Sequence, residues 1–231
     1  MRGIVFDLFH TLVDPEDFRP RESWRLRHVA ETIDANGRDL VMFWKDTYFE
    51  RTTSPVSGTA LVLRYAADNG IDLSESQVAD ITDHLGDYQD IALDRPRPDV
   101  LEAVASMAGA HELALLSNCY LEEVAAWPRS PLAPHFVGAA FSYAIGFRKP
   151  DHSAYLAATR LLGVEPGECA FVGNGGSNEL SGAKSAGFGL VVHQNQFNQS
   201  DGLVTAEEQQ RRAAEADAQI TALGELEPLL G

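Results

Sequence analysis

Three short apolar runs, each free of charge and each closing on a polar residue, constrain this chain most. They are Gly3-Ile4-Val5-Phe6 before Asp7, Leu113-Ala114-Leu115-Leu116 before Ser117-Asn118, and Ala170-Phe171-Val172 before Gly173-Asn174. A strand with one wet face alternates apolar and polar residues; these runs do not, so they read as strands buried on both faces. Two further strands are expected over Gly138–Tyr143 and Gly189–His193. Helical spacing separates them, over Asp99–Met107, His152–Leu162 and Asn178–Ala186. Strands alternating with helices predict an α/β core, a parallel sheet covered on both faces. In such sheets ligands bind beyond the carboxyl ends of the strands. Asp7, Ser117-Asn118 and Asn174 are therefore expected at one crevice, with Lys149 from the loop after the Gly138–Tyr143 strand. A carboxylate buried there without a partner is costly, so Asp7 needs one.

Between the first two runs lies a stretch with helical spacing and little strand character. Helices are expected over Glu22–Ala35, Asp39–Thr52, Val56–Asn69 and Glu75–Leu93, with breaks at Asn36-Gly37, Ser54-Pro55 and Asn69-Gly70. Asp94-Arg95-Pro96-Arg97-Pro98 then punctuates the chain. The expected organisation is a core of residues 1–14 and 95–231, interrupted by a helical unit of residues 15–94. A polar loop, Asn195–Ser200, and a polar helix, Thr205–Ala216, precede a last short strand and helix.

At 231 residues and 45% hydrophobic content, the chain can bury one core and a smaller accessory unit. A formal net charge of −16 argues against nucleic acid and anionic membrane as partners. No apolar segment approaches the roughly 18 residues that span a bilayer, and the expectation is a soluble, cytoplasmic protein, monomer or homodimer, acting on a small molecule. Cys119 and Cys169 have no metal-type spacing and read as reduced, buried thiols. Lysine is scarce, with only Lys45, Lys149 and Lys184, so a lysine at the strand ends carries weight.

Taken singly, Asp7 could cap a turn, Ser117 could be a turn residue and Lys149 a solvated charge. Taken in order, they resemble the motifs of the haloacid dehalogenase superfamily of hydrolases. Asp7 with Thr11 four residues on matches its first motif, and Ser117 followed by Asn118 the second. Lys149-Pro150-Asp151 with Tyr155 matches the third. Gly173, Asn174 and Glu179 in "FVGNGGSNELSGAKSAG" match the fourth. The helical block falls where subfamily I members carry a cap between motifs one and two. The resemblance implies a Rossmann-like core with an inserted α-helical cap. It implies Asp7 as the nucleophile of a covalent aspartyl ester, with Thr11, Ser117 and Lys149 holding charge around it.

Two positions depart from the phosphatases of that superfamily. Phe9 stands where they carry an Asp that acts as general acid and base; the dehalogenases have an aromatic residue there, since halide leaves without a proton. Asn174 stands where phosphatases hold Mg²⁺ through Asp, and it offers one neutral oxygen instead. A metal, if bound, would use Asp7, the Phe9 carbonyl, Asn174 and Glu179, whose spacing from Gly173 is phosphatase-like. His10 titrates in the useful range and could supply an acid or pack under its loop. Tyr155 reads as a helix-face core residue as much as a site residue. Trp44-Lys45 falls where the dehalogenases carry an anion-binding Trp-Arg pair, although Trp24, Phe43, Trp44 and Tyr48 also read as a core stripe. The expectation is a hydrolase of a small, anionic substrate, with metal-independent, 2-haloacid-type chemistry. A Mg²⁺-dependent small-molecule phosphatase is the alternative, and a non-catalytic binding protein of the same fold is a further one.

Overall fold

The computed structural model describes residues 1–19, 26–197 and 204–231. Its centre is a sheet of six strands: β1 (Gly3–Phe6), β2 (Glu112–Ser117), β3 (Gly138–Phe141), β4 (Cys169–Gly173), β5 (Leu190–Gln194) and β6 (Ala218–Ile220). Their spatial order is β3-β2-β1-β4-β5-β6, and every pairing is parallel. From β1 the chain winds outward in one direction through β2 and β3, then returns to β4 and winds the other way. The reversal falls beside β1, where a parallel sheet opens a crevice for ligands. Register aligns the strand ends: Phe6 lies opposite both Leu115 and Val172. Asp7, Ser117 and Gly173-Asn174 thus leave the sheet side by side.

The inserted stretch is helical throughout its described elements: α1 (Arg27–Thr32), α2 (Gly37–Asp46), α3 (Tyr48–Thr53), α4 (Gly58–Asp68), α5 (Glu75–His84) and α6 (Asp87–Asp94). Asn36, Ser57 and Ser74 cap α2, α4 and α5 through their side chains, each accepting a backbone N–H of the first turn. Val29, Leu40, Trp44, Leu61, Val62 and Ile81 form a core of their own. The first part of the expected helix Glu22–Ala35, Trp24 included, lies outside the described residues, as does Asn198-Gln199-Ser200 of the polar loop.

Two expected helices are each broken in two. The stretch 39–52 divides at Thr47, whose hydroxyl donates back to the carbonyls of Phe43 and Trp44. The stretch 75–93 divides at Leu85-Gly86, where the Leu85 carbonyl accepts the Tyr120 hydroxyl at 2.9 Å. A Cβ on Gly86 would come within 2.5 Å of the Glu122 carbonyl, so only glycine admits this approach. The loop after β2 is thereby fastened to the helical unit. Tyr120 lies in that unit's apolar core, edge-on to Trp44. The buried Glu122 carboxylate accepts the Gly58 and Thr59 N–H groups, both at 2.9 Å, at the start of α4.

Beyond the insert, α7 (Pro98–Ala108), α8 (Ser142–Ile145), α9 (His152–Leu162), α10 (Glu179–Ser185) and α11 (Ala206–Glu215) complete the helices. The strands send alternate residues to opposite faces. Ile4, Phe6, Leu113, Leu115 and Val172 pack with Val100 and Val104 of α7. Val5, Ala114, Leu116 and Phe171 pack with Ala154 and Ala158 of α9 and Leu180 of α10. Both faces are covered, as the uninterrupted apolar runs require, and the core is Rossmann-like. The strand expected over Gly138–Tyr143 stops at Phe141, because the Ser142 hydroxyl turns to bond the Cys119 backbone and α8 begins there. Both cysteines are free and buried. No helix among the described residues is long and apolar enough to cross a membrane.

Candidate active site

Asp7 continues β1 by one residue: its N–H donates to the Val172 carbonyl at 2.9 Å. The following turn is tight. Leu12 and Val13 both return N–H bonds to the Leu8 carbonyl, and His10 takes a left-handed φ of +61°. This turn brings Thr11 back beneath Asp7, and its hydroxyl donates to Asp7 Oδ2 at 2.7 Å. Asp7 Oδ1 accepts from the Lys149 ammonium. Asp7 is 6% exposed and Lys149 2%, so this is a buried ion pair whose loss on one side leaves a costly lone charge.

Lys149 bridges two carboxylates. Its Nζ also donates to Glu179 Oε2 at 2.5 Å, and Glu179 is 2% exposed. Glu179 begins α10, and its Oε1 accepts the Gly175 N–H at 2.9 Å. Burial, reinforced by the charge of Asp7, pushes the Glu179 carboxyl up to about 7 despite the lysine. Burial works against charge on Lys149, but Asp7 and then Glu179 outweigh it and raise the ammonium to about 12. Asn118 fixes the lysine's backbone from both sides. Its Nδ2 donates to the Lys149 carbonyl at 2.9 Å, and its Oδ1 accepts the Lys149 N–H at 2.7 Å.

These groups wall a cavity of about 210 Å³ whose lining includes Asp7, Phe9, His10, Ser117, Asn118, Lys149, Asn174 and Glu179. The structure therefore gathers eight of the residues singled out from the sequence. Thr11 lies just beneath, through Asp7. Tyr155 is not in the lining: it is buried edge-on to Phe171 and Phe188, and its hydroxyl donates to the Glu179 backbone carbonyl at 2.8 Å. Burial raises its phenol above the ordinary range. Lys45 does not reach the cavity. It sits on the exposed side of α2, because Trp44 turns into the helical core.

The residue that α3 lends to the cavity is Tyr48. Two guanidinium groups lie over its ring, Arg51 at 4.8 Å and Arg148 at 4.3 Å from the centroid. Arg148 precedes Lys149, so this cation–π contact joins the helical insert to the lysine loop. The sequence marked Tyr48 only as one aromatic in a stripe. Glu123 also lines the cavity, and no motif pointed to it. At the mouth, His10 Nδ1 meets the buried Asp14 carboxylate at 3.0 Å. Burial opposes a proton on His10, but Asp14 prevails and raises its pKa.

The residues named for a metal offer hard oxygens but do not fit an ion as arranged. Both oxygens of Asp7 and both of Glu179 accept from protein donors, with the Lys149 ammonium between the two carboxylates. Asn174 turns Oδ1 back onto the Gly176 N–H at 3.0 Å. Among the described residues, no group of three His, Cys, Asp or Glu side chains could hold a metal ion.

A family model described as haloacid dehalogenase-like hydrolase matches residues 1–187. No curated protein matches the chain. Solved structures resemble it over its whole length. A HAD phosphatase from Thermococcus onnurineus is 20% identical with a TM-score of 0.66, covering 100% of this chain and 98% of that one. A 2-haloacid dehalogenase from Pseudomonas syringae pv. Tomato is 21% identical with a TM-score of 0.67 and the same coverage. An L-2-haloacid dehalogenase from Xanthobacter autotrophicus is 20% identical with a TM-score of 0.58, again covering 100% and 98%. At these identities the likeness is one of fold.

Proposed function

Because this chain belongs to the haloacid dehalogenase-like hydrolases, we propose that it cleaves a carbon–halogen bond in a small anionic substrate, without a metal, through an ester on Asp7. The observation that carries this reading is the wall beside the nucleophile. At the position two residues beyond Asp7, the cavity is lined by Phe9, which cannot give a proton to a leaving oxygen. A leaving group that departs as a stable anion needs none. The four carboxylate oxygens of Asp7 and Glu179, each already accepting from a protein donor, support the same choice. The helical insert, residues 15–94, is read as the cap that closes the cavity and sets substrate size through Tyr48.

In the first step an Asp7 oxygen displaces halide from carbon. The carbon–halogen pair leaves with the halide, and the new carbon–oxygen bond gives a neutral aspartyl ester. Thr11 and Lys149 hold the carboxylate in place, which limits the motion lost on reaching the transition state. Esterification removes the Asp7 charge, one of the two causes that keep the Glu179 carboxyl near 7. Lys149 then faces Glu179 alone and favours its ionised form. In the second step Glu179 accepts a proton from water as the water adds to the ester carbonyl carbon. Collapse expels the product alkoxide, which takes that proton back. The carboxyl proton left on Asp7 goes to solvent, so each turnover yields an alcohol, a halide and one proton.

The Gly173–Glu179 spacing favours the Mg²⁺-dependent phosphatase as the second reading. The test is to assay the purified protein on 2-haloacids and on a general phosphate ester, each with Mg²⁺ and with chelator. Halide release in chelator is expected. Phosphate release that depends on Mg²⁺ sinks the reading in favour of the second. Turnover of neither, with ligand binding unchanged in Asp7→Asn, sinks it in favour of a non-catalytic binding protein. A single turnover in heavy-oxygen water should place the label in Asp7 and leave the product unlabelled.

A further inference from the structure

We propose that Arg212 is a positioning residue of this site: from outside the cavity it fixes the Asn174-Gly175 peptide, whose N–H holds Glu179 against Lys149, the lysine that binds Asp7. This rests on the reading of Glu179 as the base of the second step. The family match ends at residue 187, and Arg212 lies beyond it, on α11. That helix buries none of its residues fully, so packing alone does not explain an arginine turned inward. Yet the Arg212 side chain is only 13% exposed.

Its contacts run in one line to the nucleophile. Arg212 Nε donates to Glu208 Oε1 at 3.0 Å, one turn earlier on α11, which fixes the plane of the guanidinium. Nη1 donates to the Asn174 carbonyl at 3.1 Å. The stem lies flat on Gly175, where a Cβ would come within 2.7 Å of Arg212 Cδ and 2.8 Å of Cγ. Gly175 also has φ +85°. Both the close approach and the left-handed backbone demand glycine there. The Gly175 N–H then donates to Glu179 Oε1, Glu179 Oε2 accepts from Lys149, and Lys149 donates to Asp7.

The loop needs an outside anchor. Ser177 adopts a left-handed φ of +54° without being glycine, which a serine holds only where its surroundings enforce it, and Asn178, a residue that tolerates this region, follows with the same φ. Arg211 on the same helix reaches Asn178 Oδ1 at 3.4 Å, so α11 grips the loop at two points. Without the guanidinium, the Gly175 peptide can turn and Glu179 loses one of its two alignments. Asp7, Thr11 and Ser117 keep all their bonds, so ester formation proceeds and ester breakdown slows.

The test is rapid quench of the full-length protein with 2-chloropropionate, following the Asp7 ester by intact mass and halide by ion chromatography. Arg212→Ala should leave the halide burst unchanged and slow ester breakdown about 10- to 100-fold, the range for losing one charge-assisted hydrogen bond. Millimolar guanidinium should restore part of the breakdown rate in that variant, which it would not do for a general loss of stability. Arg212→Lys keeps the stem on Gly175 and one donor, so a smaller loss in the same step is expected; it serves if the alanine variant does not fold. Glu179→Gln separates the two ideas. If it accumulates the ester and the Arg212 variants do not, the positioning role is overturned. Equal slowing of both steps in the Arg212 variants also overturns it. If Glu179→Gln accumulates no ester, the reading of the site itself fails, and the inference with it.

Discussion

Glu179→Gln should make the protein more stable at neutral pH while removing the group that breaks down the ester. The Glu179 carboxyl is raised from 4.5 to about 7, first by burial and then by Asp7. A folded-state pKa above the unfolded one means that the folded protein binds the proton more tightly. Its stabilising contribution is full below pH 4.5 and is lost as pH rises through about 7. At about 1.4 kcal/mol per pH unit, the displacement corresponds to about 3 kcal/mol between those limits. Glutamine has no proton to lose and nearly the same shape, so the variant lacks this decline. Lys149 stays charged across the window, since its own value is about 12. His10, also raised, loses its contribution in both proteins alike and cancels in the difference. Urea denaturation of both proteins at pH 4.5, 6 and 8 should show similar stability at the acid end. The variant should lead by roughly 2 to 3 kcal/mol at pH 8, the lower figure allowing for its weaker bond to Lys149. Parallel stability curves across that range would show that Glu179 is not held protonated by burial, and the account of its charge would be wrong.

Three further outcomes are expected. Phe9→Asp puts a proton donor at the cavity wall; it should create hydrolysis of p-nitrophenyl phosphate that the parent protein lacks, followed continuously in chelator and with Mg²⁺, and no hydrolysis in either would mean that a missing proton donor is not what excludes phosphate esters. Tyr48→Ala removes the ring that Arg51 and Arg148 contact; kcat/KM for longer-chain 2-haloacids should rise relative to 2-chloropropionate, and an unchanged ratio would mean that Tyr48 does not bound the substrate. Glu122→Ala strips two backbone N–H groups of their acceptor at the start of α4 and should cost about 2 kcal/mol, read by urea denaturation at pH 7.

Much of the architecture follows from local composition. A strand buried on both faces must be apolar along its whole length, so Gly3–Phe6, Leu113–Leu116 and Ala170–Val172 declare themselves without partners. Their polar ends converge because parallel strands in register end on one edge, and the residues that close them were legible for that reason. Only the tertiary structure decided the charges. Lys149 stands between Asp7 and Glu179, which are far from it in sequence, and the value of about 7 at Glu179 comes from burial and field, which no local pattern encodes. The helix breaks at Thr47 and Gly86 were hidden likewise, since periodicity runs through them and their causes are a rotated hydroxyl and a carbonyl from the loop after β2. Lys45 and Tyr48 lie three residues apart on the same stretch, and the break at Thr47 between them left the first exposed and turned the second to the cavity. Arg212 shows the same limit from the other end of the chain: a basic residue on a polar helix reads as solvated until the fold lays that helix against Gly175.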